Sequence, residues 1–126
     1  MTDSSKRQQG LAMIEKVYGN TLPAGSLTPA GESRFIDFML ETVFGELWTR
    51  DVLSMRERRL LLLGAIAAQG EDNVFGIQVT AALDNGEFTP EQMQEAVLFL
   101  TQYVGFPRAS KLHVLLTQLL RQRAPE

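Results

Sequence analysis

SMRERRLLLLGAIAAQG, residues 54 to 70, is the stretch that decides the fold. Ser54 and Glu57 make a capping box: the serine oxygen accepts from the third helical amide, and the glutamate reaches back to the amide of Ser54. Behind it runs a Leu- and Ala-rich segment, Leu60 to Ala68, interrupted only by Gly64, and Gly70 supplies the stop. A segment this long between cap and stop, with no alternation of period two, predicts a helix. The same punctuation recurs outward. Downstream, a helix is expected from about Asp72 to Asn85, ending at Gly86. Thr89-Pro90-Glu91-Gln92 is a second capping box, opening a helix with Met93, Ala96, Val97, Leu100 and Val104 on one face. Gly105-Phe106-Pro107 breaks it, and a last helix follows from Pro107 to about Arg121. Upstream, Thr28-Pro29 reads as an N-cap with proline at the first helical position, opening a helix that ends at Trp48. Thr21 to Leu27, with Pro23 and Gly25, reads as a loop. A first helix runs from Asp3 or Ser4 to Tyr18, stopped by Gly19-Asn20. The expected architecture is all-α, about six helices, in one domain spanning residues 1 to 126.

Composition narrows the function. A net charge of −3 gives no electrostatic reason to expect nucleic acid as a partner. The chain has no cysteine, which excludes disulfides, thiolate metal sites and thiol redox chemistry. A single histidine, His113, excludes a multi-histidine metal site within one chain. The N-terminal segment leads into no signal-like apolar stretch, and Leu60 to Ala68 is far too short to span a bilayer. A soluble, cytoplasmic protein with no membrane partner is expected.

Two helices are apolar on more than one face. The third carries Leu60 to Leu63 with Ala65, Ile66, Ala67 and Ala68. The fourth has one stripe of Val74, Ile77, Ala81 and Ala82 and another of Phe75, Val79 and Leu83. A domain this small has little room to surround both, so a homo-oligomer with these helices in its contacts is expected.

Chemistry is sought among polar residues where the periodicity expects apolar ones. Phe35, Phe38, Met39, Thr42 and Val43 share a face that the pattern assigns to the core, and Glu46 falls on it. A buried carboxylate needs a partner, and Arg50, one turn on, is placed to be one. Two readings stand: an ion pair at the helix end open to water, or a polar group lining a pocket beside Trp48. Gln78 faces inward among the fourth helix's apolar positions. Each unsatisfied group of a buried glutamine costs ~1–3 kcal/mol, so it either makes a structural hydrogen bond or orients a substrate oxygen or water. It is no acid or base near neutral pH. Arg58, in line with Met55, Leu62 and Ala65, packs its stem inward and offers its fork to a carboxylate, internal or substrate. Tyr103 shares a stripe with Ala96 and Phe99 and reads as a core residue whose hydroxyl reaches a partner. Glu95 beside it reads as solvated, and His113 as structural or exposed. Glu46, Arg50 and Gln78 are expected to border one cavity, with Trp48 or Tyr103 as its wall.

Phe44-Gly45-Glu46-Leu47-Trp48-Thr49-Arg50, then Arg58 before the Leu/Ala-rich helix, then Ala82-Leu83-Asp84-Asn85-Gly86, then Tyr103-Val104-Gly105-Phe106-Pro107, resembles the carboxymuconolactone decarboxylases. The resemblance covers essentially the whole chain, including Gly10 and the exit Val17-Tyr18-Gly19. It implies an alkylhydroperoxidase D-like helical bundle assembled into trimers or hexamers. It also implies cofactor-free removal of CO2 from a small carboxylated lactone or related acid, as in the breakdown of aromatic acids. Glu46, Trp48, Arg50, Arg58, Asn85, Gly86, Glu95, Tyr103, Gly105 and Pro107 match the family pattern. Where the decarboxylases carry an acid/base histidine on the fourth helix, this chain has Gln78, and the glutamate four residues earlier is Val74. The thiol-peroxidase branch needs a Cys-x-x-Cys pair where this chain has Glu71 and Val74, so peroxidase activity is excluded.

Without that histidine there is no obvious proton donor, and Glu46, its pKa raised by burial, is the best remaining candidate. Arg50 and Arg58 would hold carboxylates, with Gln78, Trp48 and Tyr103 completing the substrate site and no metal. The alternative is a family member without catalysis, serving as a binding or scaffold protein.

Overall fold

The computed structural model describes residues 4–22 and 26–123. Six helices run in chain order: α1 (Ser5–Tyr18), α2 (Arg34–Met39), α3 (Met55–Gln69), α4 (Asp72–Asp84), α5 (Pro90–Val104) and α6 (Phe106–Arg123). A 3₁₀ turn, Gly19–Thr21, follows α1, and α2 runs straight on into a π-helical stretch, Leu40–Leu47. There is no strand among the described residues, so the all-α expectation holds. No described helix is long and apolar enough to cross a membrane. The chain divides into two compact units, one through Met55 and one from Arg56 onward.

In the first unit, Ser4 caps α1 by accepting from the Arg7 amide at 3.0 Å, and its hydroxyl donates to Glu41 at 2.9 Å. Gly19, at φ +55°, ends the helix. The second helix departs from expectation. It begins at Arg34 behind an Ser33 cap, and Pro29 to Glu32 form a turn closed by the Glu32 amide on the Pro29 carbonyl at 3.1 Å. The reason lies in competing partners. The Thr28 carbonyl is taken by Arg7 Nη2 at 2.6 Å, and Gly31, at φ +85°, gives its amide to Asp37 Oδ2 at 2.9 Å. A residue at positive φ cannot continue a right-handed helix. Pro23 and Gly25 of the expected loop lie outside the described residues.

The inward face of α2 also differs from the expected one. Phe35 and Phe38 are 76% and 55% exposed, while Asp37 is buried and Leu40 and Phe44 are buried against Ile14 and Val17 of α1. Glycines set this choice. A Cβ at Gly10 would lie 1.9 Å from the Leu40 carbonyl oxygen, and one at Gly45 would lie 2.4 Å from the Lys6 carbonyl oxygen. The helices meet backbone to backbone there, which turns Leu40 and Gly45 toward α1 and Phe35 and Phe38 away from it.

Arg7 and Asp37 form a buried ion pair, Nε to Oδ1 at 2.8 Å. The Thr28 carbonyl and the Gly31 amide give each partner a further hydrogen bond, as a desolvated pair requires.

The second unit packs α3 to α6 around Leu63, Ile66, Phe75, Val79, Met93, Val97, Leu112 and Leu116. The capping box at Thr89 and Gln92 forms as expected. Gly105, at φ +90°, separates α5 from α6, which starts at Phe106. Of the fourth helix's two stripes, Phe75, Val79, Ala81 and Ala82 are buried, Ile77 and Leu83 half-buried and Val74 exposed, while Leu60 and Leu61 of the third helix stay exposed.

Asp37 titrates below its ordinary value near 3.8, chiefly because Arg7 hydrogen-bonds the charged form, with the Gly31 amide adding to it and burial opposing. A carboxylate with a lowered folded pKa stabilises fully above the unfolded value, and that stability is lost as pH falls through the folded one. Denaturant midpoints measured between pH 6 and pH 2 are therefore expected to drop below about pH 4, and Asp37→Asn to weaken that dependence while costing stability at neutral pH.

Candidate functional site

Arg59 lies on the buried stripe of α3, one turn before Leu63 and two before Ile66, and it has no exposed surface. Its Nε and Nη2 each donate to one oxygen of Glu87, both at 2.9 Å. Its Nη1 donates to Gln78 Oε1 at 2.5 Å. The turn after α4 presents the carboxylate. Gly86, at φ +70°, closes a Schellman motif in which the Gly86 amide reaches Leu83 at 3.1 Å and the Glu87 amide reaches Ala82 at 2.9 Å. Asn85 Nδ2 adds a 3.0 Å bond to Glu87 Oε2. A planar guanidinium facing a carboxylate through two parallel bonds is the strong form of this pair. The cluster is neutral overall, and it fixes the carboxamide of Gln78 with its oxygen toward Arg59.

Glu87 faces two ways. Its carboxylate turns inward to Arg59, while its backbone carbonyl accepts from Arg56 Nε at 2.9 Å. The Arg56 guanidinium sits over the Phe88 ring, 4.5 Å from its centroid. So held, Arg56 stands at a groove of about 440 Å³ between α3 and α5. Leu60, Leu63, Phe88, Phe99 and Leu100 give it apolar walls, and Glu95 is its carboxylate. The terminal nitrogens of Arg56 and the carboxylate of Glu95 have no partner among the described residues. No group of three metal-ligating side chains occurs among the described residues.

The residues anticipated from sequence divide between the units. Glu46, Trp48 and Arg50 lie in the first, and Arg58, Gln78 and Tyr103 in the second. Glu46 is exposed and pairs with Lys6 of α1 at 3.6 Å, which is the water-open ion pair with a different cation from the one expected. Its stripe faces away from the first unit's core, so the expected burial of this carboxylate is not met within the chain. Trp48 is half-buried, its ring stacked on Phe44 with centroids 6.3 Å apart. Arg50 is exposed, and Arg58 is half-buried. Gln78 is buried as expected, and its structural hydrogen bond is the one to Arg59. Tyr103 is not a core residue: it is 75% exposed, its ring tilted against that of Phe99 with centroids 5.3 Å apart. The sequence reading missed Arg59, Glu87 and Arg56. The signal for Arg59 was present, since it continues the stripe of Leu63, Ile66 and Ala67 at helical spacing.

The model of the carboxymuconolactone decarboxylase family matches residues 34–116, well over half of the chain. The chain belongs to this family. It is 26% identical over 112 residues to a 4-carboxymuconolactone decarboxylase from Acinetobacter baylyi, covering 87% of this chain and 83% of that protein. It is 34% identical over 98 residues to a nitrosuccinic acid decarboxylase from Metarhizium robertsii, covering 78% of this chain and 63% of that protein. At position 78, where the resemblance expects an acid/base histidine, the chain carries Gln78, hydrogen-bonded to Arg59.

Arg59→Ala would leave the Glu87 carboxylate enclosed without its cation. Loss of one partner of a buried pair costs about 3–5 kcal/mol. Urea unfolding of Arg59→Ala is expected to show a loss of that order, and the double variant Arg59→Met, Glu87→Met to recover most of it.

Proposed function

We propose that this protein is a cofactor-independent decarboxylase acting on a small carboxylated acid or lactone. The observation that carries the reading is Arg56, held by the Glu87 carbonyl and the Phe88 ring where it lines an apolar groove. Removal of CO2 needs three things: a cation for the substrate's retained carboxylate, poor solvation for the leaving one, and an acceptor for the electron pair left behind. Arg56 meets the first need and the groove's hydrocarbon walls the second. The third belongs to the substrate. The compounds named for the two relatives each join a carboxylate to an electron-withdrawing group, a lactone in one and a nitro group in the other. The bond to the carboxylate carbon breaks, its electron pair passes to that group, and a proton returns to the carbon. Glu95, whose carboxylate lines the groove, takes that proton from water and passes it to the carbon.

A second reading, a family member without catalysis that binds small acids or serves as a scaffold, is favoured by Gln78. Its oxygen is already engaged by Arg59, and a carboxamide moves no proton. The two readings separate by CO2 release from 4-carboxymuconolactone and from nitrosuccinate. Turnover of either is expected, with KM raised at least tenfold in Arg56→Ala. Glu95→Gln is expected to lower kcat by about 10²-fold or more. No CO2 from either compound, with small dicarboxylates still bound, would establish the second reading.

We also infer that a second copy covers the outer face of α2 and its π-helical continuation. Phe35, Phe38, Val43 and Leu47 are all exposed in the single chain, a contiguous apolar run of the sort that subunit contacts bury. Light scattering at micromolar concentration is expected to give a multiple of 14.1 kDa, and a mass of one chain would refute it.

A further inference from the structure

A second cavity, of about 420 Å³, runs along the α5–α6 hairpin, and the chemistry assigned to the Arg56 groove does not use it. Gln94 and Thr101 lie along its α5 wall, and Ser110, His113 and Thr117 follow at helical spacing along its α6 wall. Val97, Ala109 and Leu116, all buried, form its floor. Two of the hydroxyls are engaged: Thr101 donates to the Leu98 carbonyl and Thr117 to the His113 carbonyl, each at 2.8 Å. The side chains of Gln94, Ser110 and His113 have no hydrogen-bond partner among the described residues. Three unengaged polar groups thus face one cavity over an apolar floor.

The lining selects the ligand. A carboxamide, a hydroxyl and an imidazole each supply a donor, the imidazole in either protonation state. Among the described residues no Asp or Glu lines the cavity, so an anion meets no like charge there. The hydrocarbon floor excludes a small, fully hydrated ion in favour of a molecule with an apolar body. The volume is that of a pocket for one ring-sized molecule. We propose that the α5–α6 cavity is a binding site for a small organic carboxylate. Its carboxylate is held by Gln94, Ser110 and His113, and its apolar body rests on Val97, Ala109 and Leu116. The site is separate from the Arg56 groove and stands whether or not that groove catalyses decarboxylation.

His113 is the chain's only histidine, so its imidazole gives an unambiguous NMR signal. The full-length protein, labelled at the histidine ring, is titrated with benzoate and, separately, with benzamide, which keeps the ring but lacks the charge. Benzoate is expected to shift the His113 resonance saturably, and benzamide to bind at least tenfold more weakly. Ser110→Ala and Gln94→Ala, both at exposed positions, are expected to weaken benzoate at least tenfold without changing the circular dichroism. Arg56→Ala is expected to leave the titration unchanged. Three results would overturn the proposal. One is no saturable shift up to about 10 mM benzoate, a concentration that reaches affinities weaker than about −4 kcal/mol. The second is equal binding of benzamide. The third is undiminished binding in both the Ser110 and Gln94 variants.

Discussion

A guanidinium without exposed surface dictates the geometry of what surrounds it, and Arg59 does this for the second unit. Its desolvation is offset only if all of its donors find acceptors in one plane. Glu87 provides two of them, and it can do so because Gly86 takes a backbone conformation that brings the chain back over α3 within three residues of the end of α4. Gln78 provides a third. Because the Glu87 carboxylate is drawn inward, its carbonyl faces outward, where Arg56 finds it. The buried pair and the cation of the groove are two sides of one residue, so loosening the first would release the second.

The helical punctuation was legible in the sequence because it is local chemistry. Thr89 with Gln92, Gly70, Gly86 and Gly105 each act through bonds a few residues long, and each sits where it was expected. Pro29 misled for the opposite reason. Its helix-start signal is also local, but a long-range partner, Arg7, captures the Thr28 carbonyl, and Asp37 captures the Gly31 amide. The face of α2 failed in the same way. Hydrophobicity favours the side of Phe35 and Phe38, whereas the inward side is chosen by Gly10, a residue without a side chain on another helix. Periodicity weighs side chains and cannot register a contact made by a missing one.

The candidate site was legible in part. Gln78 stood out as a polar residue among apolar neighbours, and the structure gives it the partner such a residue must have. Arg59 was hidden by its context: in a run of three arginines interrupted by Glu57, each reads as solvated, and only the angular position along α3 separates the buried one from its neighbours. Membership in the carboxymuconolactone decarboxylase family places the chain among proteins whose named substrates are small acids. In this chain the carboxamide at position 78 is tied to the buried Arg59–Glu87 pair.

A π turn, bonded from each amide to the carbonyl five residues back, accommodates one residue more than an α turn does. From Leu40 to Leu47 the second helix therefore carries surplus chain, and the Trp48 amide, bonded to Val43 at 2.9 Å, is its last rung. Side chains beyond it emerge at an angle set by that surplus, rotated from the heading of an uninterrupted α-helix. Phe44 and Trp48 lie nearly parallel, at 8°, across this turn, with Tyr18 edge-on to Phe44 on the other side. The three rings act as a ratchet stop: returning the segment to α geometry would swing the indole off the phenyl ring and turn the heading of Thr49 and Arg50 with it.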